Sequence, residues 1–227
     1  MFVAYTKEGV RVHINDYVKY TYPVYCLHNH ELCGHQGEIK KWHYAHKGIV
    51  DCIFNQGKSE FHLWWQNRIN KDALEVRIQN DKVKHIADIM NKDGLVIEIQ
   101  HSIMSPGTIK ERESFYDTMI WIFDITTHNV DIVKKYKDLV VLKINRGNLY
   151  FSEANKTHFL DMGFQGLFEV LRKKGKTFLC RKITLDAFDK RYFLDIVLDN
   201  RDMRIDKPYF DMSLGSATEK EIKAYKI

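Results

Sequence analysis

Between Val83 and Gln100 the chain reads VKHIADIM, then NKDG, then LVIEIQ. Two aliphatic, strand-like runs around a cluster of turn residues leave little choice but a β-hairpin. Asn91-Lys92-Asp93-Gly94 is turn chemistry, and Gly94 suits the left-handed position that ends a three-residue loop. With Lys92–Gly94 as that loop, Asn91 partners Leu95 and every further pair follows. Asp88 then faces Glu98 across the hairpin, with Cβ atoms about 4.5–5.5 Å apart. Gln100 shares their face.

Leu95, Val96, Ile97 and Ile99 want dry surroundings, and a lone carboxylate among them would cost several kcal/mol. Two acids facing each other without a cation repel, so that one of them must hold a proton. A divalent ion removes the conflict. Mg²⁺ and Mn²⁺ take oxygen ligands, often one or two carboxylates together with waters and substrate phosphate oxygens. Such an ion polarises a phosphodiester and supplies an activated water. The competing reading is a hairpin with a wet polar face and the two acids one register step apart.

Around the hairpin the pattern alternates between helix and strand. SEFHLWWQNRINKDAL (59–74) has helical spacing with Ser59 as its cap, and LEVRIQ (74–79) reads as a strand. SPGTIKERESFYDTM (105–119) opens with Ser and Pro, a sound helix start. IWIFDI (120–125) and LVVLKI (139–144) are buried-strand runs. Farther on, FQGLFEVLRKKG (164–175) reads as helix and TFLCRKIT (177–184) as strand, while the tail after Pro208 reads as loosely ordered. At the start, FVAYT and VRVHI flank Lys7-Glu8-Gly9 as a second hairpin. These elements predict a mixed α/β layered protein, divided into 1–55, 56–150 and 151–227. No apolar run is long enough to cross a bilayer, and the N-terminus lacks a basic segment followed by an apolar one. The expectation is a cytoplasmic protein without a membrane partner.

Three of the four cysteines, Cys26, Cys33 and Cys52, stand among His28, His30, His35, His43 and His46. In a reducing compartment such crowding points to metal rather than to disulfides. Tetrahedral Zn²⁺ needs four N/S ligands. Cys26, Cys33, His43, His46 and Cys52 are the candidates for a structural site, with His28 or His30 able to replace a cysteine. The letters HNH at 28–30 do not make an HNH nuclease motif, which spreads its residues over a hairpin and a helix.

Basic residues exceed acidic ones by a formal charge of +5, which permits nucleic-acid binding without showing it. LRKKGKTFLCRK (171–182) gathers Arg172, Lys173, Lys174, Lys176, Arg181 and Lys182 around Phe178. It reads either as a phosphate-contacting surface or as a solvated turn. Trp64 and Trp65 point about 100° apart on a helix, so at most one is deeply buried.

Taken together, SEFH opening a helix, IAD in one strand, IEIQHS in the next and then a helix before IWIFD resemble the CoiA-like competence nuclease family of the PD-(D/E)XK group. Glu60 and His62, Asp88, and Glu98, Gln100 and Ser102 stand at matching positions, with Arg112 and Tyr116 on the following helix. WHYAH (42–46) resembles the family's H-F-x-H element, and the likeness covers about residues 1–145. It implies a restriction-endonuclease-like core behind an N-terminal hairpin and zinc-ribbon-like lobe, with a C-terminal α+β extension. It also implies an Mg²⁺- or Mn²⁺-dependent deoxyribonuclease acting on single- or double-stranded DNA in uptake or recombination, beside other DNA-processing proteins. Asp88 and Glu98 would hold the ion, assisted by Glu60. Gln100 would orient the attacking water, and His62 or Lys84 would add charge. Arg112, Tyr116, Arg172, Lys173 and Lys174 would meet the substrate. Two residues depart from the family pattern: His85 stands where an Arg is usual, and Gln66 where a Lys is. Gln100 occupies the place of the wider group's Lys, and an amide cannot stabilise developing charge as an ammonium does. The alternative is therefore a non-catalytic DNA-binding or adaptor protein that keeps the fold.

Overall fold

A computed structural model of the chain describes residues 2–26, 29–38, 42–48, 58–80, 83–193, 196–197 and 217–224. The fold is mixed α/β and mostly strand. It divides into two compact units, 1–63 and 64–227, the boundary falling inside α1 (Glu60–Gln66).

In the first unit, β1 (Val3–Tyr5) and β2 (Arg11–His13) pair antiparallel with Ala4 opposite Val12, the hairpin expected from their sequence. β3 (Val24–Tyr25), β4 (Glu31–His35) and β5 (His43–His46) complete a five-stranded sheet in the order β2-β1-β3-β4-β5. Phe2, Ala4, Ile14, Val24, Leu32 and Tyr44 form its apolar core. Gly34 is required there by close approach, since a Cβ would lie 2.8 Å from Tyr17 Cδ1.

The second unit holds a nine-stranded sheet. Its strands are β6 (Leu74–Asn80), β7 (Val83–Met90), β8 (Val96–Gln100), β9 (Met119–Asp124), β10 (Asn129–Tyr136), β11 (Leu139–Arg146), β12 (His158–Asp161), β13 (Leu167–Lys174) and β14 (Thr177–Ile183). Their order is β10-β11-β14-β13-β12-β9-β8-β7-β6. α2 (Pro106–Phe115) carries the chain from β8 to the parallel strand β9, and β12 lies parallel to β9 on its other side. Ser105 caps α2 as its sequence predicts, accepting the Thr108 amide at 3.1 Å.

Trp121, Phe123, Val96, Ile109, Tyr116 and Leu160 belong to the main core cluster, so α2 covers the sheet face that carries Val96, Glu98 and Gln100. On the other face Trp65 meets Phe188 and Phe193 at ring separations of 5.4 and 6.1 Å, and Phe159 meets Phe188 at 4.9 Å. Phe188 belongs to α3 (Leu185–Phe188), and α4 (Glu219–Ala224) follows near the end of the chain.

Three local expectations change. α1 stops at Gln66 instead of running to residue 74, because Asn70 takes the Asp72 amide on its side chain and starts a 3₁₀ turn at Lys71–Ala73. The stretch expected as helix at 164–175 is strand β13. Gly163 and Gly166 hold φ of 62° and 114°, and Gly175 at φ 56° turns β13 back on β14, so both ends favour a hairpin. Strand β10 was not foreseen. Strands β12–β14 share one sheet with β6–β9, so the residues after 150 continue the same sheet. The tail after Pro208, up to residue 216, lies outside the described residues. Among the described residues no helix is long and apolar enough to cross a membrane.

Candidate functional site

The β7–β8 hairpin adopts the register set by its turn. Asn91 Oδ1 accepts the amides of Asp93 and Leu95 at 3.0 and 2.9 Å, and Gly94 sits at φ 79°. Met90 pairs with Val96 and Ile89 with Ile97, where the paired register ends; continued by one residue, the same register sets Asp88 against Glu98. The Ile99 amide donates to Asp88 Oδ2 at 2.9 Å, and the Asp88 carbonyl accepts from Gln66 Nε2 at 2.9 Å. Gln66, which departs from the family pattern, is fully buried and fixes the backbone that carries Asp88.

Glu98 is buried to 1% exposure, and its partner is Arg112 of α2. The Glu98 carboxylate, more than any other cause, pushes the Arg112 guanidinium above its ordinary pKa, with a further contribution from Asp88. Arg112 thus answers Glu98 directly, and the Asp88 charge acts on it in the same sense. Tyr116 is also buried, and burial followed by the Glu98 charge raises its phenol well above the usual range. As placed, Tyr116 is a wall of the site and not a surface for nucleic acid. His85 lies tilted against Phe115 with ring centres 4.4 Å apart, and burial followed by the Arg112 charge lowers its pKa. Gln100 is buried and turns its amide to the Ser102 hydroxyl at 3.1 Å.

Two carboxylates are the number that Mg²⁺ or Mn²⁺ commonly takes from protein; here Glu98 is engaged by Arg112. Glu60 opens α1, but its side chain lies outside the described residues. His62 Nδ1 meets the Ser59 hydroxyl, the cap of its own helix, at 2.9 Å. Lys84 is exposed on β7. In the basic run Arg172, Lys173, Lys174 and Lys176 are exposed, and several members have partners within the chain. Arg172 donates to the Ile222 carbonyl at 2.8 Å, Lys173 to the Ser152 carbonyl, and Arg181 pairs with Asp138 and Glu169 at 3.5 and 3.3 Å. Lys174 is exposed at the end of β13.

In the first unit, Cys26, His30 and His46 bring one ligand atom each within 4.8 Å of one another, a group able to hold a metal ion. Two of the candidate ligands, Cys33 and His43, do not join it. Leu32 pairs with His46 and His35 with His43, so strand alternation sends His46 to the core side and Cys33 and His43 to the other. There Cys33 Sγ meets His35 Nε2 at 3.3 Å, and the His35 and His43 rings stack at 5.1 Å. His30 enters in their stead, brought back toward Cys26 by a turn in which the Cys26 amide donates to the His30 carbonyl at 2.9 Å. Cys52 and His28 lie outside the described residues.

Two features escape the sequence reading. His101 Nδ1 meets Asp124 Oδ2 at 2.6 Å, and Asp124 also accepts the Thr126 amide and hydroxyl at 2.9 and 2.7 Å. Only the parallel pairing of β8 with β9 brings these residues together. Glu75, buried on β6, holds a left-handed φ of 49° at the position in line with Asp88. A non-glycine residue there stores on the order of 1 kcal/mol of strain, and nothing in its sequence marks it.

Comparison with protein-family models, with curated proteins and with solved structures found no match.

Proposed function

We propose that this chain is a metal-dependent DNA nuclease of the PD-(D/E)XK kind, related to the CoiA-like family whose motifs it resembles. The observation that carries the reading is the β7–β8 register, which, continued one residue past the Ile89–Ile97 pair, sets Asp88 against Glu98, the latter buried among aliphatic residues. A fold does not bury a carboxylate at a cost of several kcal/mol without compensation, and this one also supplies oxygen ligands for Mg²⁺ or Mn²⁺. When bound, that ion supplies a polarised phosphodiester and an activated water.

The chain's own residues do the rest. Asp88 is fixed from two directions, by the Ile99 amide on its side chain and by Gln66 on its carbonyl. Gln100 orients water through its amide oxygen, because its nitrogen is held by Ser102. Arg112 offers a planar fork suited to a phosphate. DNA is the proposed substrate, with recombination or other DNA-processing proteins as partners. In the first unit, Zn²⁺ on Cys26, His30 and His46 would staple β5 to the turn before β4.

A second reading, a non-catalytic DNA-binding or adaptor protein, draws on the position of Arg112, which already neutralises Glu98. Incubating the purified chain and its Asp88→Ala and Glu98→Ala variants with labelled single- and double-stranded DNA and Mg²⁺ or Mn²⁺ separates the two. Cleavage that both substitutions abolish is the expected result. Absent cleavage, or cleavage that survives both, removes the catalytic reading.

A further inference from the structure

Glu98 is the buried member of the carboxylate pair, at 1% exposure, so the group best placed to hold an ion is shut away from the solvent that delivers one. What covers it is the Arg112 side chain, itself 29% exposed and ion-paired to Glu98. The guanidinium occupies the carboxylate that a divalent ion would take, and the Asp88 charge also favours its protonated form. It is anchored on α2, whose position is fixed independently by Glu113 accepting from Trp121 Nε1 at 3.1 Å and from the Lys156 amide at 3.0 Å. The helix is therefore held by contacts that do not involve the Arg112 side chain, whose 29% exposure leaves it a route to solvent.

We propose that Arg112 is a displaceable counter-ion. It neutralises Glu98 in the metal-free protein, is expelled when Mg²⁺ or Mn²⁺ binds Asp88 and Glu98, and thereby sets the affinity of the site for the ion. This rests on the metal-dependent reading of the pair given above. The physical reason is competition: a guanidinium and a divalent ion cannot both occupy the same carboxylate, and each raises the free energy of bringing the other close. Metal loading then releases Arg112 at the moment a phosphodiester arrives, and a bidentate guanidinium–phosphate pair replaces the lost one. Glu98 is masked when no ion is present, which neutralises a buried carboxylate that faces a second acid.

The test is Mn²⁺ binding to the full chain, followed by calorimetry and by the Mn²⁺ electron-spin signal, in wild type, Arg112→Lys and Arg112→Met. Arg112→Met should bind Mn²⁺ more tightly by on the order of tenfold, with Arg112→Lys between it and wild type, and Glu98→Gln should abolish binding. In wild type, the nitrogen-15 signal of the Arg112 Nε–H, shielded in metal-free protein, should exchange faster with water on saturation with Mg²⁺. Unchanged affinity in Arg112→Met, or an Nε–H signal indifferent to saturating Mg²⁺, overturns the proposal while leaving the Asp88–Glu98 site standing. If no variant binds the ion, the proposal and the metal-dependent reading fall together. Should Arg112→Met fail to fold, the wild-type Nε–H measurement decides alone.

Discussion

Glu113 gives the sharpest test of how the second unit is held together. Its Oε1 accepts from Trp121 Nε1 at 3.1 Å, from the Asn155 amide at 2.9 Å and from the Lys156 amide at 3.0 Å. One carboxylate thus ties α2 to the centre of the sheet and to the chain leading into β12. In Glu113→Ala the two loop amides regain water, but Trp121 is fully buried and its indole N–H is stranded. A stranded buried donor costs about 1–3 kcal/mol, and losing bonds to a charged acceptor adds a similar amount, for a total of about 3 kcal/mol. For a unit of this size that lowers the melting temperature by roughly 6–12 °C. Urea unfolding of Glu113→Ala, Trp121→Phe and the double variant measures it. With the indole N–H removed, Glu113→Ala should cost about 2 kcal/mol less than it does in wild type. Equal cost in both backgrounds would refute the stranded-donor argument.

His158 is buried on β12, and burial holds its pKa below the ordinary 6.5, while its Nδ1 lies 2.9 Å from the Lys156 carbonyl. Above pH 6.5 the folded and unfolded chains both carry it neutral; below, the unfolded chain takes up a proton that the folded one resists. Stability should therefore fall as the pH drops below 6.5 toward the lowered folded value, and His158→Phe should flatten that part of a pH series of urea melts. Gly34→Ala would force a methyl against the Tyr17 ring, and should destabilise the first unit by about 1–3 kcal/mol in thermal melts. Cys26→Ser and His46→Ala should each lower the zinc content of the purified chain by elemental analysis, whereas Cys33→Ser should not. Retention of zinc by both of the first two variants would exclude the Cys26–His30–His46 group as its site.

The hairpin from Val83 to Gln100 was legible because everything that fixes it is local. Asn91 and Gly94 set the turn, the turn sets the register, and strand alternation then brings Asp88 and Glu98 onto one face. The caps at Ser59 and Ser105 were readable for the same reason, each bonding an amide three residues on. The stretch 164–175 was misread because Leu, Glu, Arg and Lys suit a helix intrinsically, and only pairing with β14 makes β13 a strand.

The zinc candidates were right in part: Cys26, His46 and the alternative ligand His30 come together, while Cys33 and His43 do not. Sequence crowding collected the right residue types, but only the β4–β5 pairing sorted them, sending His46 to one face and Cys33 and His43 to the other. By itself the sequence determined the two hairpins, the caps at Ser59 and Ser105 and the β7–β8 turn that sets its register, since those arise from bonds between near neighbours. The tertiary structure alone decided that Arg112 answers Glu98, that Gln66 holds Asp88 and that His101 meets Asp124. Those partners lie on different elements, and a chain's pattern of apolar and polar residues says which face is buried without saying what will be buried against it.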